Sequence, residues 1–316
     1  MVDPTQAMRK IAKRLLEEKS VAVIIGYERG TLLLRTTPCF ISDVKDVDRL
    51  IWDVTCENNL AKYLIDRGEK IGILAKGCDA RSIVAYIVEN QLKRENVVII
   101  GLPCSGVIDR KKIESELNEK EILEATLSDD EIILKGEGYD KHLPVKGFLD
   151  DSCVSCKHRN PPLYDVIVGE KVLEEMGEDE FISTKQIENK SIAERWEYFT
   201  NELSKCIRCY ACRNVCPLCY CKECFVDQNM PTWLDKSDNL SDIMVYHIVR
   251  VFHMAGRCVD CGACSRACPL GIDLRSIVQK MVKLVKELYD FETGLTLEEV
   301  PPLTTYKQDD SQEFIK

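Results

Sequence analysis

Histidine is scarce in this 316-residue chain: His142, His158, His247 and His253 are scattered and form no ligand spacing. Long apolar runs are missing as well. No stretch approaches the roughly 18 consecutive apolar residues that a membrane-spanning helix needs, so no membrane span is expected. There is no excess of positive charge either; a formal net charge of −10 argues against a nucleic-acid surface. Neither a G-x-G-x-x-G fingerprint nor a P-loop nor a serine triad occurs, and no catalytic residue is assigned. No secretory signal leads the chain. Its first residues run directly into a charged amphipathic segment, 8–18, and the expected location is the cytoplasm.

What the chain does have is cysteine, 17 residues of it, gathered mostly in the second half. A disulfide framework has no place in a reducing compartment. Cysteine at this density there points to metal. The remaining composition, 45% hydrophobic and 30% charged, is that of an ordinary globular protein. The length suffices for two cores.

The first half reads as α/β. Residues 21–26 (VAVIIG), 71–75 (IGILA) and 97–101 (VVIIG) are short apolar runs of the buried-strand kind. Residues 81–91 between the last two have helical spacing. Residues 58–67 are expected to be helical too, with Gly68 as a C-cap. Strands alternating with helices imply a mostly parallel sheet. Residues 109–147 read as an irregular excursion with an extra hairpin or helix, and 165–168 as a further short strand. Later come three expected helices, 191–205, 240–254 and 273–288. The expected domains are an α/β domain over 1–190, a helix-rich two-cluster ferredoxin-like module over 191–290, and a polar tail over 291–316.

Two cysteine runs repeat one pattern. Cys206, Cys209, Cys212 and Cys216-Pro form C-x2-C-x2-C-x3-C-P, and Cys258, Cys261, Cys264 and Cys268-Pro form it again. Three thiolates two residues apart on a tight loop can grip three corners of one [4Fe–4S] cubane, while the fourth points to the neighbouring cluster. The expected ligation is therefore crossed, with Cys206, Cys209, Cys212 and Cys268 on one cluster and Cys258, Cys261, Cys264 and Cys216 on the other. Zinc prefers separated C-x2-C pairs and fits this pattern poorly. The long gap between the runs, filled by the helix at 240–254, favours a helix-rich module over the compact β-hairpin ferredoxin.

Between the runs stand Cys219, Cys221 and Cys224. They read either as ligands of a further cluster or zinc site, with Cys56 as the fourth, or as thiols that lend weak S–H donors to the neighbouring cluster. In the first half, Cys78 and Cys104 each directly follow a strand, at the carboxyl edge where ligands of parallel sheets bind. Cys153 and Cys156 form a C-x2-C pair before the next strand. These four can converge on a third cluster. Burial as packing thiols is the other reading. Redox C-x-x-C chemistry is opposed by Pro161–Pro162, which interrupt the helix that should follow. Cys39 reads as packing.

The run Leu-Ala-Lys-Gly-Cys78-Asp-Ala-Arg, with Val-Val-Ile-Ile-Gly-Leu-Pro-Cys104, resembles the β subunit of the coenzyme F420 (deazaflavin) hydrogenase/dehydrogenase family. The run from Lys205 through Cys224, with its return at 258–269, is more specifically similar to formate dehydrogenase β subunits. The resemblance covers most of residues 8–290. It implies an α/β domain that holds its own cluster on Cys78, Cys104, Cys153 and Cys156, and a ferredoxin module that passes electrons onward. In that family the β subunit exchanges hydride with a deazaflavin through FAD. The Cys-Gly-Gly segment that there precedes the first helix has no counterpart here, which leaves FAD open. The expected function is an iron–sulfur electron-transfer subunit of a larger complex. It would link a formate dehydrogenase-, hydrogenase- or methylenetetrahydrofolate reductase-like catalytic subunit to a heterodisulfide reductase-like or ferredoxin acceptor. The alternative is an FAD-containing oxidoreductase subunit reacting with a deazaflavin or nicotinamide.

Overall fold

The computed structural model describes residues 3–118, 120–128, 130–174 and 179–304. Helix α1 (Pro4–Glu17) starts at Asp3, whose carboxylate accepts from Thr5 N at 2.9 Å, and its apolar stripe of Met8, Ala12, Leu15 and Leu16 is buried. Strands β1 (Val23–Arg29) and β2 (Thr36–Ile41) pair antiparallel; β3 (Ile71–Ala75) lies parallel to β1. Helix α2 (Gly77–Val88) then returns the chain to β4 (Val97–Gly101), which pairs with β3 in parallel from Ile71–Val97 to Ala75–Gly101. After an excursion, described next, a last strand, β8 (Val166–Ile167), completes a five-stranded sheet in the order β2-β1-β3-β4-β8. All five residues of β3 are buried, as expected for a central parallel strand covered on both faces.

The excursion is more regular than the sequence suggests. It contains α3 (Arg110–Glu116) and an antiparallel meander of β5 (Glu124–Leu127), β6 (Glu131–Gly136) and β7 (Tyr139–Pro144). Ile113, Leu117, Ile132, Leu134 and Leu143 give it a small core of its own. The turn α4 (Asp151–Val154) and β8 (Val166–Ile167) lead back to the main sheet.

The expected helix over 58–67 is a single 3-10 turn, Leu60–Tyr63. Asn59 caps Ala61 N at its start, Asp79 accepts from Leu60 N at 2.6 Å, and Asp66 turns the chain with φ of 62°. Gly68 is not among the residues with positive φ and caps no helix.

The second half is helical: α5 (Ile182–Glu188), α6 (Ile192–Ser204), α7 (Ala211–Val215), α8 (Leu240–His253), α9 (Ala263–Arg266) and α10 (Leu274–Tyr289). A capping box of Ser191 and Glu194 starts α6. This half shares the core of the α/β region, for Leu218, Met254, Val259 and Val278 pack in the same cluster as Ile73 and Ile99. Polar ties add to it. Lys111 donates to Cys268 O at 2.8 Å, Tyr86 to Pro217 O, and Arg81 to Thr293 O at 2.9 Å. The assigned tail thus begins with a packed segment, and Phe291 and Thr293 are buried. Residues 305–316 of that tail lie outside the described residues. No helix among the described residues is long and apolar enough to cross a membrane.

Candidate metal centres

The two repeated cysteine loops have the same backbone. The second residue after the first thiol is left-handed in each (Arg208, φ 52°; Asp260, φ 54°), and so is the residue after the second thiol (Tyr210, φ 59°; Gly262, φ 70°). Non-glycine residues in that region are each strained by about 1–2 kcal/mol, so three of these four positions hold a costly turn. The strain serves a purpose, because alternating hand curls the loop around its thiols. The backbone N–H of Arg208 donates to Cys206 Sγ at 3.3 Å, and that of Asp260 donates to Cys258 Sγ at 3.3 Å. Short helices α7 and α9 then carry Cys212 and Cys264 and pack on each other.

The thiols fall into groups. Around Cys206 the neighbouring thiols are Cys212, Cys209 and Cys268. Cys216 joins the other run, next to Cys261 and Cys264, and these three with Cys258 line one cavity. The two groups come near one another at Cys212 and Cys264. Burial first, then the neighbouring thiols, push the Cys206 thiol up; burial likewise lifts Cys264 to about 11. His247 Nε2 lies 3.3 Å from Cys206 Sγ. Burial and Arg250 press that imidazole down to about 4, so near neutral pH it is an uncharged ring.

A third group stands at the carboxyl edge of the main sheet. Cys78 sits in the first turn of α2, immediately after β3, and Cys104 follows β4. Cys153 is on α4 and Cys156 just beyond it. The chain after Cys156 crosses directly over α2: a Cβ on Gly77 would collide with the carbonyl oxygen of His158, and Cys104 N donates to Arg159 O at 3.0 Å. This crossing draws the C-x2-C pair to the sheet edge. Burial, then Cys153, lift the Cys104 thiol to about 12. Cys78 is pushed up by burial and Asp79, against Lys76, and its further neighbours are Cys261 and Cys104. The third group therefore adjoins the second. Beneath it lies a wholly buried ion pair, Lys76 Nζ to Asp79 at 3.0 Å, with Lys76 also bonded to Tyr27 OH and to Asn58 O.

Cys219, Cys221 and Cys224 line a cavity of about 270 Å3 together with Lys62, Arg213, Lys222, Arg250 and Arg257. Cys219 is held against Cys216. The hydrogen bond between the two thiols, with Arg250 and Lys62 nearby, brings Cys219 down to about 7 against its burial. Cys56 is not among the residues lining that cavity. It is buried beside Asp53, with Asp53 N donating to its sulfur at 3.5 Å and Lys76 near. Cys39 is buried in β2, within the main core.

All 17 cysteines are free thiols. Among the described residues, no three His, Cys, Asp or Glu side chains gather about a point that a single ion could occupy. A cubane spreads its four ligand sulfurs farther apart than one ion does. The soft all-sulfur donor sets, the N–H groups aimed at sulfur and the thiol-lined cavity fit iron–sulfur ligation.

Sequence reading passed over several polar residues of these groups: Lys76 and Asp79 under the third, His247 at the first, and Arg250 and Arg266 between groups. The Lys76-Gly77-Cys78-Asp79 run was the one available signal. Arg266 is half-buried, pairs with Asp150 at 3.2 Å, and donates to Glu57 O and Cys261 O, so it ties the second group to the third.

The family description "4Fe-4S dicluster domain" matches residues 202–272. Over 94% of its length the chain is 25% identical to the F420-dependent formate dehydrogenase subunit beta of Methanocaldococcus jannaschii, covering 93% of that protein. It is 24% identical to the F420-dependent formate dehydrogenase 1 subunit beta of Methanococcus maripaludis, covering 94% of this chain and 92% of that one. Among solved structures it matches a chain of the F420-reducing [NiFe] hydrogenase complex from Methanosarcina barkeri. That match has a TM-score of 0.38 at 15% identity, over 48% of this chain and 59% of the other.

Proposed function

We propose that this homologue of formate dehydrogenase β subunits, an iron–sulfur electron-transfer protein, relays electrons through three [4Fe–4S] sites. Cys78, Cys104, Cys153 and Cys156 would hold one, Cys258, Cys261, Cys264 and Cys216 the next, and Cys206, Cys209, Cys212 and Cys268 the last. The observation that carries the reading is continuity: Cys78 neighbours Cys261, and Cys264 neighbours Cys212. An iron–sulfur cluster supplies one-electron storage with little atomic rearrangement. The chain's own residues would do the rest. The paired backbone N–H groups stabilise thiolate sulfur, and Arg266 and the shared core hold the sites at fixed separation. The eight thiols of the first two groups are half-buried, which limits the access of water.

At the far end Cys209 and its neighbour Ile207 are exposed. That loop is where a partner would collect or deliver electrons. The partners proposed are a formate dehydrogenase-, hydrogenase- or methylenetetrahydrofolate reductase-like catalytic subunit and a heterodisulfide reductase-like or ferredoxin acceptor. Anaerobic purification from the native host tests this: redox subunits should co-purify, and the isolated chain should contain about 12 iron atoms. Stoichiometric zinc with little iron would overturn it.

A second reading, an FAD-containing subunit, has one observation in its favour. A groove of about 610 Å3, lined by Arg9, Arg29, Arg35, Leu33 and Trp52, has the size of a cofactor site. Trp52 leads inward from it to Tyr27, their ring centroids 6.2 Å apart, and Tyr27 bonds Lys76 beside Cys78. Flavin released on denaturing the purified protein would select this reading.

A further inference from the structure

Three arginines of this protein with little exposure answer a carboxylate, while buried Arg208 donates to Asp235 O, Ser237 O and Tyr210 OH. Arg81 pairs with Glu292 at 3.4 Å, Arg266 with Asp150 at 3.2 Å and Arg275 with Asp260 at 2.6 Å. Arg250, on α8, is the exception that matters. Its side chain is 4% exposed, and no carboxylate lies within ion-pair distance of it among the described residues. Its Nη2 donates to Cys212 O at 3.1 Å, while Nε has no partner. A guanidinium stripped of water without an anion is costly to bury. The groups that surround this one are thiols from both ferredoxin-type loops and the segment between them: Cys264, Cys216, Cys219 and Cys212. Arg250 also lines both the cavity of Cys216, Cys258, Cys261 and Cys264 and the cavity of Cys219.

We propose that Arg250 is the shared counter-charge of the two dicluster sites, a positioning residue that raises the reduction potential of both and tunes the difference between them. The inference rests on the assignment of clusters to those thiols. Its physics is Coulombic. Four thiolates around a cubane make the site an anion, and reduction adds one more negative charge. A fixed cation in a water-poor interior stabilises the reduced form more than the oxidised form. The effect falls with distance, so it is larger where more ligand thiols adjoin the guanidinium. Cys216 and Cys264 belong to one site and Cys212 to the other. The Cys258-containing cluster is therefore affected more, which changes the difference in potential between the two. An arginine suits the position because its charge persists at any pH in the cell.

The test uses the full chain, prepared anaerobically with its clusters, as wild type, Arg250→Gln and Arg250→Lys. Iron content is measured first, then the midpoint potentials by EPR-monitored titration. Arg250→Gln is expected to keep its iron while both dicluster potentials shift negative, the Cys258-containing one further. Arg250→Lys, which retains a charge, is expected to stay closer to wild type. Unchanged potentials in an iron-replete Arg250→Gln protein would overturn the proposal, as would a lysine variant shifted as far as the glutamine one. Should the glutamine variant fail to retain iron, the lysine variant decides: retention of iron with near-wild-type potentials supports the counter-charge, and loss of iron there as well overturns it. Wild-type protein without eight dicluster irons would instead fail the underlying cluster assignment, a separate result.

Discussion

Gly77 has no room for a side chain. Its φ is ordinary, but the carbonyl of His158 passes where a Cβ would stand, and that passage brings Cys156 to the edge where Cys78 waits. Gly77→Ala should force the two segments apart. A loss of about 1–3 kcal/mol in stability is expected from overpacking, together with loss of about 4 irons. Iron analysis and thermal unfolding of the holoprotein check both, and retention of full iron would show that the crossing does not depend on the glycine. Crossed ligation makes a second residue-scale prediction. Cys268→Ser should disturb the EPR signal of the site built on Cys206, Cys209 and Cys212, because Cys268 neighbours Cys206. Alteration confined to the Cys258–Cys264 site would reject the assignment. The thiols of these groups were legible in the sequence, since their spacing is the ligation pattern. Arg250 was not. A charged residue in an amphipathic helix ordinarily faces water, and the thiols it meets are set by folding rather than by their spacing from it.

At the scale of elements, the buried strands and long helices stood out because their apolar residues keep one period over several turns. The helix expected at 58–67 stops after one turn: its apolar residues suit a helix and Asn59 caps its start, but Asp66, with φ of 62°, turns the chain away. The meander of β5, β6 and β7 alternates weakly among charges and reads as irregular, yet it closes over its own core. The segment after α10 carried no periodic signal at all. It is held instead by Glu292, which meets His158, Arg81 at 3.4 Å and Lys286 at 3.0 Å. Burial alone would raise the Glu292 carboxyl. The hydrogen bond from His158, the charge of Arg81 and the hydrogen bond from Lys286 outweigh it and hold the group well below its ordinary 4.5. A carboxyl depressed on folding contributes stability that is full above its unfolded pKa and fades as pH falls below it. Wild type should therefore lose melting temperature between about pH 5 and the acid range more steeply than Glu292→Gln. The two should differ most near neutrality. Parallel curves for the two proteins would remove this clasp from the account.

For the whole molecule, the shared core makes the α/β region and the helical module one frame, and the order of thiol groups runs through it from the sheet edge to the exposed loop of Cys209. If Cys219, Cys221 and Cys224 bind a further cluster, anaerobically prepared protein should contain about 16 irons instead of about 12. The double change Cys221→Ser/Cys224→Ser would then bring the content back to about 12. Equal iron in both proteins would leave these thiols as companions of Cys216. The molecule's partner requirement follows from the kind of carrier it holds. Formate, hydrogen and NADH give up electrons in pairs, by chemistry that needs a cofactor ring or metal centre held against the substrate. Cubanes accept electrons singly and are useful between a donor and an acceptor. The isolated chain should therefore be bleached by dithionite and should pass electrons to a dye. Formate, hydrogen or NADH should leave its visible spectrum unchanged until a catalytic partner is added, after which the spectrum should bleach within the turnover time of that partner. Rapid bleaching by NADH or a reduced deazaflavin in the isolated chain, with flavin present, would move the function from relay to flavoenzyme and give the Trp52 groove its occupant.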